Sequence, residues 1–115
     1  MGLKFYILVG RTPMAVDTDT WAKWFQDRNN LHVAFDQIDA KCVVSTIFLG
    51  LDHNWSDRGD PVLFETMVLG GPLDMDQWRY STYAEAERGH AEAVAQARIA
   101  VAKIKAIADA AGAKQ

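Results

Sequence analysis

Apolar and polar residues change their period several times along the chain, and each change marks an element. KFYILVG (Lys4 to Gly10) is rich in β-formers and stops at a glycine, while Pro13 in the following RTPM signals a turn. A strand, a turn and a short strand over Met14 to Val16 are therefore predicted. In DTDTWAKWFQDRNN the residues Trp21, Trp24, Phe25 and Arg28 stand three or four apart, so the aromatic side chains share one face of a helix that packs on a sheet. Asp17 is placed to cap this helix, and Asn29 or Asn30 to end it. LHVAFDQI (Leu31 to Ile38) alternates Leu31, Val33 and Phe35 against His32, Ala34 and Asp36, the pattern of a strand covered on its Leu31/Phe35 side.

CVVSTIFLGL and PVLFETMVLGG flank the polar loop DHNWSDRGD and read as a long antiparallel hairpin. With His53 set opposite Pro61, one face carries Val44, Thr46, Phe48, Val62, Phe64, Thr66 and Val68. The other carries Ser45, Ile47, Leu49, His53, Leu63, Glu65, Met67 and Leu69. Both faces are apolar, which predicts central strands covered on both sides, by helices of this chain or by a partner subunit. GGPLDMDQWRY (Gly70 to Tyr80) reads as a loop.

From STYAEAERGH onward the period returns to three and four. Thr82 and Glu85 form a T-x-x-E capping box, and Tyr83, Ala86, His90, Val94, Ala97, Val101, Ile104 and Ala108 form a narrow stripe of mostly small residues. About 28 helical residues span roughly 42 Å, longer than a domain of this size is wide. The segment 98–115 is therefore expected to protrude or to pack on another subunit, which favours a homo-oligomer. Together these elements predict a single α+β domain over residues 1–115. An antiparallel sheet of four or five strands carries a short aromatic helix and a long C-terminal helix.

Composition narrows the function classes. The 115 residues are 50% hydrophobic and 10% aromatic, enough for one packed core, and carry a net charge of −3. The basic residues are scattered rather than gathered into a stripe, which argues against a duplex nucleic-acid or membrane-surface binder. No apolar run reaches the ~20 residues of a membrane span, and the N-terminus lacks the pattern of a signal peptide, so a cytoplasmic protein is expected. Cys42 is the sole cysteine and lies in an apolar run, where it reads as a small buried hydrophobe. No cofactor motif of the Walker A, dinucleotide, H-E-x-x-H or G-x-S-x-G kind occurs.

Candidate chemistry gathers at three places. Asp52, His53 and Asn54 follow one another where the hairpin strand ends, and a carboxylate beside an imidazole can orient a general base or serve a metal. Neighbours on a strand point to opposite faces, however, so hydrogen bonds that shape the loop are the competing reading. Glu65 interrupts an otherwise apolar strand and needs a partner, for which Arg79 and His90 are available; in the register above it shares a face with His53. Arg79, Tyr80 and Ser81 precede the long helix, where an anion or nucleotide could meet a cation, an aromatic ring and free N–H groups. His90 on the apolar stripe reads as a satisfied core histidine, and His32 as solvated.

Four pieces, TWAKWF, VSTIFLGLDHNW, PVLFETMVLGGPLD and RYSTYAEAERGHAEAV, stand in an order and spacing that resembles a widespread family of small proteins encoded by bacteriophages and prophages. The resemblance runs from about Lys4 to Val94. It departs in the longer Ala-rich C-terminus and in NWSDRGD, where the family has a more Gly-rich loop. The resemblance implies a phage setting rather than a reaction. The reading it favours is a non-enzymatic accessory protein that occupies a host protein or sequesters a small anionic, nucleotide-like signal. The former would use an exposed patch around Trp55, Asp57 and Asp60, the latter Arg79 and Tyr80. The alternatives are a metal-dependent hydrolase built on Asp52, His53 and Glu65, and a component of virion assembly.

Overall fold

The computed structural model describes residues 4–56 and 58–113. Two sheets are present: a hairpin of β1 (Phe5–Val9) and β2 (Thr12–Val16), and an antiparallel meander of β3 (His32–Asp39), β4 (Cys42–Phe48), β5 (Phe64–Leu69) and β6 (Gln77–Tyr80) in that spatial order. Between them lie α1 (Thr18–Phe25) and a single 3-10 turn over Arg28–Leu31, and α2 (Tyr83–Ala113) closes the chain. The architecture is the α+β arrangement expected from the sequence.

Local chemistry sets the element ends. The Asp17 carboxylate accepts from the Thr20 N–H at 2.7 Å and caps α1, and this bond holds its pKa below the ordinary value. The helix stops at Phe25 rather than near Asn29, because the Asp27 side chain accepts from the Asn29 N–H at 3.0 Å and starts the separate 3-10 turn. At α2 the capping box forms in full: the Thr82 hydroxyl accepts from the Glu85 N–H at 3.1 Å, and the Glu85 carboxylate accepts from the Thr82 N–H at 3.0 Å.

The central hairpin pairs Thr46 with Thr66 and Phe48 with Phe64, two residues away from the register expected with His53 opposite Pro61. An even shift leaves the side chains of β4 and β5 on their expected faces, while Leu63, just before β5, departs from its expected face and is buried in the core with Phe48 and Phe64. The fourth strand is a correction, since Gln77–Tyr80 was read as loop. Its four residues alternate, with Trp78 and Tyr80 half-buried and Gln77 and Arg79 exposed, but the run is too short to stand out behind Pro72, Asp74 and Asp76. The β5–β6 connection turns at Gly70 and Gly71, both at positive φ (82° and 74°), and a Cβ on Gly70 would run into the Lys41 carbonyl.

Cover on both faces of the hairpin, expected from its apolar alternation, is found on one. Helix α2 lies across the face of Val44, Thr46, Phe48, Phe64, Thr66 and Val68, all with essentially no exposed surface, and seals it with Ala86, Ala93 and Ala97. Small residues there let the helix axis come close to the sheet. Helix α1 extends this core at one end, where Trp24 meets Phe48 edge-on at 5.6 Å and Trp21 packs between Phe5 and Phe25. The opposite sheet face carries Val43, Ile47 and Met67, half-buried, with Phe35 and Leu69 exposed. Phe35 is thus on the uncovered side, contrary to expectation, because register irregularities in β3 between His32 and Ala34 and between Gln37 and Asp39 turn Ala34 and Asp36 toward α2.

Beyond Val101 the helix leaves the sheet behind, and every described side chain from Ala102 to Gly112 is exposed. The radius of gyration is 17.6 Å, against about 13 Å for a compact chain of this length, and the longest dimension is 63 Å. No helix among the described residues is long and apolar enough to cross a membrane.

Candidate functional site

The structure distributes the six candidate residues over two places. Asp52, His53 and Asn54 shape the loop that joins β4 to β5. One Asp52 carboxylate oxygen accepts from the N–H groups of Asn54 (2.8 Å) and Val62 (2.9 Å), across the mouth of the loop. The His53 Nδ1 lies 2.8 Å from the Leu51 carbonyl, which can only accept, so Nδ1 carries a proton. The Asn54 side chain donates to the carbonyls of Arg58 (2.8 Å) and Asp60 (2.9 Å) and accepts from the Ser56 N–H (3.0 Å). The three residues bind their own backbone. Among the described residues no group of three His, Cys, Asp or Glu side chains is placed to hold a metal ion, so Asp52, His53 and Glu65 do not form the metal set of the hydrolase alternative.

Glu65 stands directly opposite Arg79 on neighbouring strands, and the guanidinium Nε donates to its carboxylate at 2.9 Å. The Glu65 side chain is 12% exposed and that of Arg79 40%, so the pair is a partly solvated cross-strand bridge on the open sheet face. Tyr80 points the other way, into the interface with α2, where its ring lies against Gly89; a Cβ on Gly89 would fall inside that ring. Ser81 links β6 to the cap formed by Thr82. Arg79 and Tyr80 therefore do not converge on one ligand, and the Glu85 N–H in the first turn of α2 is taken by the Thr82 cap.

A polar chain that sequence reasoning did not assemble crosses the core between these two places. The carboxylate of Asp36 on β3 meets His90 Nε2 at 2.7 Å, His90 Nδ1 meets the Thr46 hydroxyl at 2.7 Å, and Thr46 meets the Thr66 hydroxyl at 2.6 Å. The carboxylate accepts from Nε2, and the Thr46 hydroxyl, which can both donate and accept, joins His90 Nδ1 to Thr66. The phenol of Tyr80 lies next in line beside Thr66. Acid, imidazole and hydroxyl occur here in the order of a nucleophilic triad, yet Thr46 and Thr66 have no exposed surface and His90 has 6%. No substrate reaches the hydroxyl. His90 is the satisfied core histidine read from its place on the apolar stripe, and the signal for its partner was Asp36, a carboxylate in a strand whose alternate residues are apolar.

Burial pushes the Tyr80 phenol above its ordinary pKa of 10.0, with Glu92 adding to the effect and the Thr66 hydroxyl opposing it. A folded-state pKa raised above the unfolded value gives a contribution that is full below pH 10 and is lost as pH rises through the folded value. Urea midpoints should therefore fall as pH is raised past 10, and Tyr80→Phe should flatten that fall; an unchanged slope in the variant would place the phenol in solvent. Burial likewise raises the Cys42 thiol, in keeping with its reading as a buried hydrophobe.

What the loop exposes differs from what it hides. Trp55 is 72% exposed and makes a tilted contact with His53 at 5.4 Å between ring centres. Asp57, named with it as part of an acidic and aromatic patch, lies outside the described residues, and Asp60 is exposed. No protein-family model, curated protein or solved structure matches the chain.

Proposed function

We propose that this chain is a non-enzymatic binding protein that recognises another protein through the loop carrying Trp55. The observation behind this reading is a loop braced at both ends by Asp52 and internally by Asn54, which nevertheless holds its largest apolar side chain out in water. Ordering a loop in advance lowers the entropy lost on binding, and an exposed indole on such a loop is the kind of anchor that dominates protein interfaces. The polar side chains that would serve catalysis or hold a small anion are engaged within the chain: Asp52 and His53 with backbone, Glu65 with Arg79, His90 with Thr46 and Asp36. Binding a host protein is thus better supported than sequestering a nucleotide. The family resemblance supplies the setting for this proposal, that of a phage accessory protein at work in the cytoplasm of its host.

Photo-crosslinking tests it. A benzoylphenylalanine at Trp55, irradiated in cells that express the protein, should give one discrete heteroadduct. Excess wild-type protein should compete the adduct away and Trp55→Ala should not. Adducts that are absent, or that both competitors remove equally, would overturn the reading. Because Trp55 is exposed, its replacement should leave the urea midpoint of the free protein unchanged.

A further inference from the structure

We infer that two copies of this chain associate reciprocally, the overhanging end of α2 from each lying on the open sheet face of the other. The stripe that binds α2 to its own sheet, Ala86, His90, Ala93, Ala97 and Val101, does not end where the sheet ends. At 100° per residue the same side of the helix continues through Ile104, Ala108 and Ala111, with Ile107 at its margin. Ile104 is 54% exposed and Ile107 66%. A helix side already complementary to an apolar sheet surface thus runs on for about three turns with no sheet beneath it.

Among the described residues a second sheet surface of that chemistry is present. Phe35, Val43, Ile47, Met67 and Leu69 lie on the face of β3–β5 that no helix covers. Twelve residues from Ala102 to Ala113 span about 18 Å, and the outer axes of four strands spaced about 4.8 Å apart stand about 14 Å apart, so the overhang is long enough to cross the sheet. The overhang of one copy is directed away from its own sheet, which makes the neighbour's the available one.

Charge selects a second copy over an unrelated apolar partner. Residues 102–115 hold three Lys and one Asp, a net +2, whereas residues 1–101 hold nine basic and fourteen acidic residues, a net −5. The overhang is the basic part of an otherwise acidic chain, and Lys103 and Lys105 stand to either side of Ile104 on the helix. Exchanging overhangs sets each basic segment against an acidic body, and the two-fold arrangement makes both contacts identical and leaves neither overhang unpaired. This contact is separate from the Trp55 loop, and neither proposal requires the other.

Native mass spectrometry and light scattering of the full chain, over roughly 1–50 μM in physiological salt, test it. The wild type should be a dimer, and Ile104→Asp and Phe35→Asp should each weaken it by at least about 50-fold, since each buries a charge at the contact. Both positions are more than half exposed in the single chain, so circular dichroism and the urea midpoint of the monomeric variants should match the dissociated wild type. A wild type that is monomeric throughout this range would overturn the inference. So would a dimer that Ile104→Asp breaks and Phe35→Asp does not, because the overhangs would then be pairing with each other rather than with the sheet.

Discussion

Replacing Gly89 with alanine should lower the stability of the protein by about 2 kcal/mol, although alanine in a helix interior ordinarily gains about 1 kcal/mol over glycine. Gly89 lies inside α2 at the point where the Tyr80 ring crosses the helix, and a Cβ there would occupy the space of the phenol carbon and oxygen. Overpacking of this kind costs about 1–3 kcal/mol and occasionally more; here the obstacle is a rigid ring, not the end of a flexible chain, so the upper part of the range applies. Tyr80 is held on its other side by β-pairing with Phe64, and its carbonyl accepts from the Leu63 N–H at 3.0 Å, so the strand cannot swing away freely. Urea denaturation of Gly89→Ala, Tyr80→Ala and the double variant checks the argument. The double variant should lose less than the two single losses combined, because removing the ring makes room for the methyl group. A stabilised Gly89→Ala, or additive losses, would mean that Tyr80 does not rest on the helix.

The same residue shows where sequence reading reached and where it stopped. Tyr80 and Arg79 are adjacent, and as part of a loop before a helix they look like one ligand site. Once Gln77–Tyr80 is a strand, they point to opposite faces: Tyr80 becomes a core wedge and Arg79 the partner of Glu65. The alternation that decides this spans four residues, too few to separate from chance, and it becomes visible only through pairing with β5, a contact between distant segments. The long helix, its capping box and its apolar stripe were legible because each repeats a local rule over several turns. Face assignment in the central hairpin was legible for the same reason, and it survived a register error of two residues because the side-chain period is two. The uncovered outer face was not legible. Apolar alternation reports that a surface avoids water and is silent on whether the same chain or another copy covers it. His90 was read correctly as satisfied, while its partners on β3, β4 and β5 required a fold to bring them within reach.

That buried chain also predicts an unusual order among variants. Thr46→Val keeps the shape of the side chain and removes a hydroxyl that serves His90 and Thr66 at once. Both partners are buried, so the His90 Nδ1 is left without a partner and the Thr66 hydroxyl keeps only the Tyr80 phenol, and a buried unsatisfied group costs about 1–3 kcal/mol. Thr46→Val should therefore cost about 3 kcal/mol. His90→Leu removes more atoms and yet should cost less, about 1–2 kcal/mol. Thr46 and Thr66 still satisfy one another, and the Asp36 side chain, 46% exposed, turns to water. Introducing Thr46→Val, Thr66→Val and His90→Leu together removes the buried part of the chain at once and fills the site with apolar groups. The triple variant should be more stable than Thr46→Val alone, by about 1 kcal/mol or more. Urea midpoints at pH 7, with unchanged m-values, give the ranking directly. Losses that simply add from one variant to the next would show that the four side chains are neighbours without being hydrogen-bonded, whereas the reversed order, with the smallest change the most damaging, follows only if each hydroxyl and ring nitrogen in the core depends on the next.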